Sequence, residues 1–174
     1  GTKRSKSRGS VRLDASNPSN KPRVRFNYMS HEDDWIEMRS CVRLTREIFQ
    51  QPAMAAFAGR ELAPGPDCTN DTDIDQFIKD KVESAYHPCG TCRMGTDTNA
   101  VVDPETMRLR GMDGLRVVDA SVMPQATAGD INVPTLMLAE RAADLIRGRH
   151  LPEADPSPVM VDANWQSCQR STDI

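Results

Sequence analysis

Apolar residues fall into short alternating runs near the N-terminus and into three stretches with helical spacing further on. Ser10-Val11-Arg12-Leu13 and the run from Arg23 to Tyr28 favour extended backbone and flank the turn-rich Asp14 to Asn20, which predicts two strands joined by a loop. Ser30, with Asp33 three residues on, marks a helix start, and Trp35, Met38, Val42, Thr45, Ile48 and Phe49 then predict one core-facing stripe. Ala63-Pro64-Gly65-Pro66-Asp67 breaks the chain into a loop. Thr72 is the expected cap of a second helix, with Ile74, Phe77, Ile78, Val82 and Ala85 on one face, ending near Tyr86-His87 because Pro88 disfavours helical geometry before it. Val101-Val102, Met107 to Arg110 and Leu115 to Val118 read as strands separated by the turns Asp103-Pro104 and Asp113-Gly114. A third helix is expected from Pro134 through Leu136, Ala139, Ala143 and Ile146 to a stop at Gly148.

Length and charge narrow the organisation. At 174 residues, the chain suits one domain over 9–150, flanked by a basic tail or connecting segment at 1–8 and a Pro-rich polar tail at 151–174. It starts with Gly and four basic side chains in eight residues, so it is expected to be a piece of a longer protein and carries no secretory signal pattern. A net charge of -3 argues against nucleic-acid binding, and no apolar run approaches a membrane span. Cys41, Cys68, Cys89, Cys92 and Cys168 are an odd number, which points away from a secreted disulfide framework and towards a reducing, cytoplasmic setting.

Three segments concentrate residues able to do chemistry. The first, Tyr86-His87-Pro88-Cys89-Gly90-Thr91-Cys92-Arg93-Met94-Gly95, has three readings. A redox Cys-x-x-Cys would need a helix starting at Cys89, and no such pattern is present. A zinc hydrolase or deaminase could use His87, Cys89 and Cys92, yet the His-x-Glu half of that signature and a fourth ligand are missing. Alternatively, His87 transfers a proton, which imidazole does near neutral pH, although a lone His is most often structural. In the second segment, the strand from Gly114 to Val118 ends at Asp119 and Ala120, where small side chains let backbone approach a ligand; a turn former and a filler is the plain alternative. In the third, Asn132-Val133-Pro134-Thr135 opens the strongest helix, whose unpaired N–H groups suit an anion or electron-rich ring, while Asn132 alone reads as a cap.

Together the three segments resemble the C-terminal part of the glucose-methanol-choline (GMC) oxidoreductases: His-Pro-x-Gly-Thr-x-Arg-Met-Gly, then Gly-Leu-Arg-Val-Val-Asp-Ala-Ser-x-Met-Pro, then Asn-x-Pro-Thr before a helix. Ser7-Arg8-Gly9-Ser10-Val11 and Asn27-Tyr28-Met29-Ser30 extend the likeness to residues 5–150, and the flanks of His87 with Ala100-Val101-Val102-Asp103 are most similar to the choline-oxidising branch. The resemblance implies an α+β fold, an antiparallel or mixed sheet covered by helices, whose segments return to a flavin domain. It implies that His87 and Asn132 handle the substrate hydroxyl while hydride passes to FAD, and that Asp119, Ala120, Asn132, Val133, Pro134 and Thr135 contact the cofactor. Choline, oxidised to betaine aldehyde and onward to glycine betaine, is the implied substrate, with oxygen or a membrane carrier as electron acceptor and a membrane-associated location in the second case. Asp130 departs from the family pattern by standing where an Asn is common.

The family's N-terminal Gly-x-Gly-x-x-Gly unit, which holds the FAD pyrophosphate, does not occur in this sequence. By itself the chain is therefore expected to be colourless and inactive, the flavin-binding N-terminal part of the same polypeptide being its partner. A non-catalytic remnant used for binding is the remaining alternative.

Overall fold

The computed structural model describes residues 2, 4–14, 16–17, 19–150, 153, 155–158 and 161; Trp165, Cys168 and most of the Pro-rich tail lie outside them. The class is α+β, as expected. Strand β1 (Ser10–Arg12) pairs antiparallel with β2 (Arg23–Arg25), with Ser10 opposite Arg25 and Arg12 opposite Arg23. The second strand stops three residues before the expected Tyr28, because Asn27 and Met29 take left-handed φ angles of 57° and 56° that a strand cannot hold. Asn27 stabilises this turn by donating from Nδ2 to the Arg8 carbonyl (3.1 Å) and to Ser30 Oγ (3.0 Å).

Helix α1 (Glu32–Phe49) is capped by His31, whose Nδ1 accepts from the Asp33 N–H at 3.2 Å. Ser30, the expected cap, is occupied elsewhere: its hydroxyl receives Asn27 and its N–H donates to Ser7 Oγ. Trp35, Met38 and Val42 are half-buried as the stripe predicts, whereas Thr45, Ile48 and Phe49 are exposed. Helix α2 (Asp71–Lys81) starts two residues before the expected site, with Asn70 rather than Thr72 as cap; Asn70 Oδ1 accepts from Asp73 N–H at 3.0 Å, and Asn caps better than Thr. It ends at Lys81 because Val82 is extended (φ -66°, ψ 129°), so Val82 and Ala85 leave the expected face, and Ile74 and Ile78 alone are its fully buried positions. Arg39 Nε reaches Asp75 Oδ1 at 2.7 Å and Arg43 pairs with Asp71, joining α1 to α2.

The strands expected over 101–118 are single bridges: Met94 with Val102, Val102 with Leu109, and Arg108 with Arg116. Asp103 Oδ1 accepts from the N–H groups of Glu105 and Thr106, and Met107 has φ 59°, so turns interrupt pairing before a strand can extend. Helix α3 (Asn132–Arg147) ends at Gly148 as expected, where φ 64° is a left-handed value glycine accepts without strain. It begins two residues before Pro134, and its buried stripe is Leu138 and Ala142, with Leu145 packed beside them, instead of Leu136, Ala139, Ala143 and Ile146. Leu136 and Ile146 are 58% and 62% exposed. Both stripes are apolar, and periodicity cannot say which of two apolar stripes faces the core. That core is Val102, Met107, Val122, Met123, Leu138 and Ala142, uniting the bridged segment with α3.

One charged group is fully buried among the described residues. Asp34, in the first turn of α1, is 1% exposed. It receives Ser5 Oγ (2.7 Å), the Lys6 N–H (2.6 Å), the Ser7 N–H (2.9 Å) and the Ser7 hydroxyl, and so pins the basic N-terminal segment to the helix. Burial pushes its carboxyl up, but the bonds from Ser7, Ser5 and the two backbone N–H groups outweigh that and hold it at about 2, below the ordinary 3.8. A depressed carboxylate stabilises the fold above the unfolded value and loses its contribution as pH falls through the folded one. Asp34→Asn should therefore cost about 2 kcal/mol at pH 7 in urea unfolding. The gap to the parent chain should shrink between pH 3.8 and about 2; a gap that does not change with pH would contradict the clamp.

Candidate active site

His87 leaves α2 through a constrained turn: Tyr86 takes φ 58° and Pro88 fixes the residue after. From there the loop runs beside the segment Asp119 to Met123. The Cys92 N–H donates to the Ser121 carbonyl (3.0 Å) and the Met94 N–H to that of Val122 (2.7 Å). Gly90 (φ 89°) passes so near that a β-carbon on it would lie 3.3 Å from the Met123 carbonyl oxygen. Arg93 binds Asp97 through both guanidinium arms (2.8 and 2.6 Å), and a β-carbon on Gly95 would meet Arg93, Asp97 and Ala100 at 3.2 Å. The bond from Arg93, aided by the Asn99 N–H, holds the Asp97 carboxyl well below the usual carboxylate range. The Arg-Met-Gly part of the motif is thus framework.

At the start of α3 the residue preceding the helix, Ile131, offers no side-chain cap. Asn132, read from sequence as a cap, is instead the first helical residue, and Asp130 supplies the acceptor: its Oδ1 takes the Asn132 N–H at 2.9 Å. The other carboxylate oxygen lies 3.4 Å from His87 Nε2. His87 and Asn132, 45 positions apart, therefore meet through one aspartate. Sequence reasoning treated Asp130 only as a departure from a pattern; an acid two positions before the first residue of a helix is the signal that could have found it.

The other predicted residues divide. Asp119 caps the short turn Ala120–Val122, its Oδ1 accepting from the Ser121 N–H at 2.8 Å, and Ala120 packs against the core. Thr135 closes the first turn of α3 through its N–H (3.0 Å) and hydroxyl (2.7 Å), both to the Ile131 carbonyl. Pro134 has no N–H to offer, and the Val133 N–H has no acceptor among the described residues. Val133, Leu136 and Met137 are 58–70% exposed beside that open helix start. A free N–H and a partial positive charge next to apolar side chains suit the ring of FAD, which has a flat apolar face and an electron-rich edge.

Cys89 and Cys92 are free thiols, half-buried against the core. Burial pushes the Cys89 thiol up against the weaker opposite pull of Arg8, contrary to the lowered thiol of a redox pair. Among the described residues no three His, Cys, Asp or Glu side chains gather as a metal set, so the zinc reading of His87, Cys89 and Cys92 has no geometry behind it.

The family model described as GMC oxidoreductase matches residues 5–139. The chain is 52% identical over 173 residues to an oxygen-dependent choline dehydrogenase of Brucella anthropi, covering 98% of this chain and 31% of that protein. It is 53% identical over 149 residues to one of Klebsiella pneumoniae, covering 86% and 27%. It thus spans under a third of the length of the curated relatives it matches. Among solved structures it is similar to pyridoxine 4-oxidase from Mesorbium loti (TM-score 0.77, 37% identity, 86% of this chain and 29% of that one). It is also similar to an FAD-dependent oxidoreductase from Chaetomium thermophilum (TM-score 0.74, 31% identity, 80% and 24%).

The raised Cys89 thiol gives a direct chemical test. At pH 8 iodoacetamide should modify Cys89 more slowly than it modifies a free small thiol, and Arg8→Ala should slow it further by removing the cation that favours the thiolate. Modification as fast as the free thiol, mapped by peptide mass, would contradict this environment.

Proposed function

The chain belongs to the GMC oxidoreductase family, and from that premise we propose that it is the hydroxyl-handling C-terminal part of an FAD-dependent choline dehydrogenase. The observation that carries this reading is the meeting of His87 with the start of α3 at Asp130, 3.4 Å from His87 Nε2. In support of choline as the substrate stand the relatives about half identical to it, which are choline dehydrogenases.

When bound, FAD supplies the acceptor for the hydride that leaves the carbinol carbon. The chain's own residues do the rest. His87 takes the hydroxyl proton, and the Asn132 side chain holds the same oxygen, so that alkoxide charge develops against two fixed polar groups. Val133, Pro134 and Thr135, at the positive end of α3, are the residues that would hold the flavin ring, and the helix end would favour negative charge there. Asp119 and Ala120, at the short turn beside the His87 loop, would add further contacts to the cofactor. The final electron acceptor would be oxygen, the one in the relatives' names, or a membrane carrier, and the cytoplasm, at the membrane face in the second case, is the proposed location.

Because the chain supplies flavin-facing contacts without a pyrophosphate-binding unit, the 174 residues purified by themselves should be colourless and fail to turn over choline. The full-length protein should carry about one FAD per chain by its absorption spectrum and reduce an artificial acceptor with choline as donor. A flavin-free full-length protein, or one inert to choline but active on another alcohol, would overturn the cofactor or the substrate part respectively.

A further inference from the structure

We infer that Asp130 is a positioning residue for this reaction, a carboxylate that ties the ring of His87 to the first turn of α3 and so sets the spacing of the two hydroxyl-handling side chains. The inference rests on the functional reading above. Three observations lead to it. His87 has a half-exposed side chain, 42%, and no hydrogen bond to another described residue, so Asp130 at 3.4 Å from Nε2 is its polar tether among them. The preceding Tyr86 is 82% exposed and gives the ring no packed wall on that side. Asp130 is itself fixed, because Oδ1 accepts the Asn132 N–H at 2.9 Å while Oδ2 faces the imidazole.

An aspartate there does two jobs that an asparagine divides less well. Both of its oxygens are acceptors, so one can cap the helix while the other attracts a ring N–H, whereas an asparagine has one acceptor and one donor amide. The charge also strengthens the bond from the Asn132 N–H and the attraction for a ring N–H. A helix cap alone would affect stability; a tether on His87 affects the chemistry, because a misplaced proton acceptor loses rate even when substrate still binds.

The two roles separate by substitution in the full-length, FAD-loaded protein. Asp130→Ser keeps a side-chain acceptor for the Asn132 N–H but is too short to reach His87. It should lower kcat and kcat/KM together by about 10-fold with flavin content unchanged. Independently of activity, His87 should react several-fold faster with diethyl pyrocarbonate, followed by absorbance and located by peptide mapping, since its Nε2 is released from the carboxylate. Asp130→Asn, of the same shape, should fall between the two, and it decides the matter if Asp130→Ser loses its flavin. Parental turnover and parental His87 reactivity in these variants would overturn the inference. If His87→Ala abolishes turnover while both Asp130 variants behave as the parent, only this inference fails; if His87→Ala turns over choline normally, the functional reading fails with it.

Discussion

The site depends on the packing of α3 against the bridged segment that precedes it. Leu138 and Ala142 close over Val102, Met107, Val122 and Met123, and this contact fixes where α3 lies on that segment. The His87 loop is fastened to the same core from the other side, by the bonds of Cys92 and Met94 to Ser121 and Val122. A helix start and a histidine remote in sequence are thus referred to one packed body, and Asp130 spans what is left between them. Rigid packing of this kind converts a sequence separation of 45 residues into a defined spacing, which positioned acid–base chemistry requires.

Much of this was legible in the sequence. The two strands, three helices and the stop at Gly148 follow from local chemistry: alternation, capping and a left-handed glycine. Choices between nearly equivalent local options were not. Asn70 and Thr72 can both cap, and Ser30 and His31 both precede a helix; the winners depend on which side chains were already engaged, as Ser30 was by Asn27 and Ser7. Nor could periodicity place the buried face of α3, which carries one apolar stripe on the core and another, with Leu136, Ala139, Ala143 and Ile146, turned away from it. His87 and Asn132 were found through motif order, since by residue type alone a histidine and a capping asparagine have ordinary structural roles. Asp130 was underrated because its significance is a contact across the fold, invisible in any linear window.

The exposed stripe and the open helix start belong together. A domain that buried its own apolar residues completely would hide Val133, Leu136 and Met137; here they are exposed in the first turns of α3, where the Val133 N–H has no acceptor among the described residues. The opposite end of the chain shows the contrary design: Asp34 draws the Ser5–Ser7 segment onto α1 with four donors, closing that side tightly. The fold thus holds its two ends differently, a polar clamp on α1 and an apolar core under α3.

The proposed role of His87 is to take the hydroxyl proton as hydride leaves the substrate. The most direct measurement is anaerobic rapid mixing of choline with the full-length, flavin-loaded protein, following loss of oxidised-flavin absorbance. His87→Ala should bind FAD normally and slow this single-turnover reduction by about 100-fold or more, the scale of a lost acid–base group. Reduction at the parental rate would contradict the account.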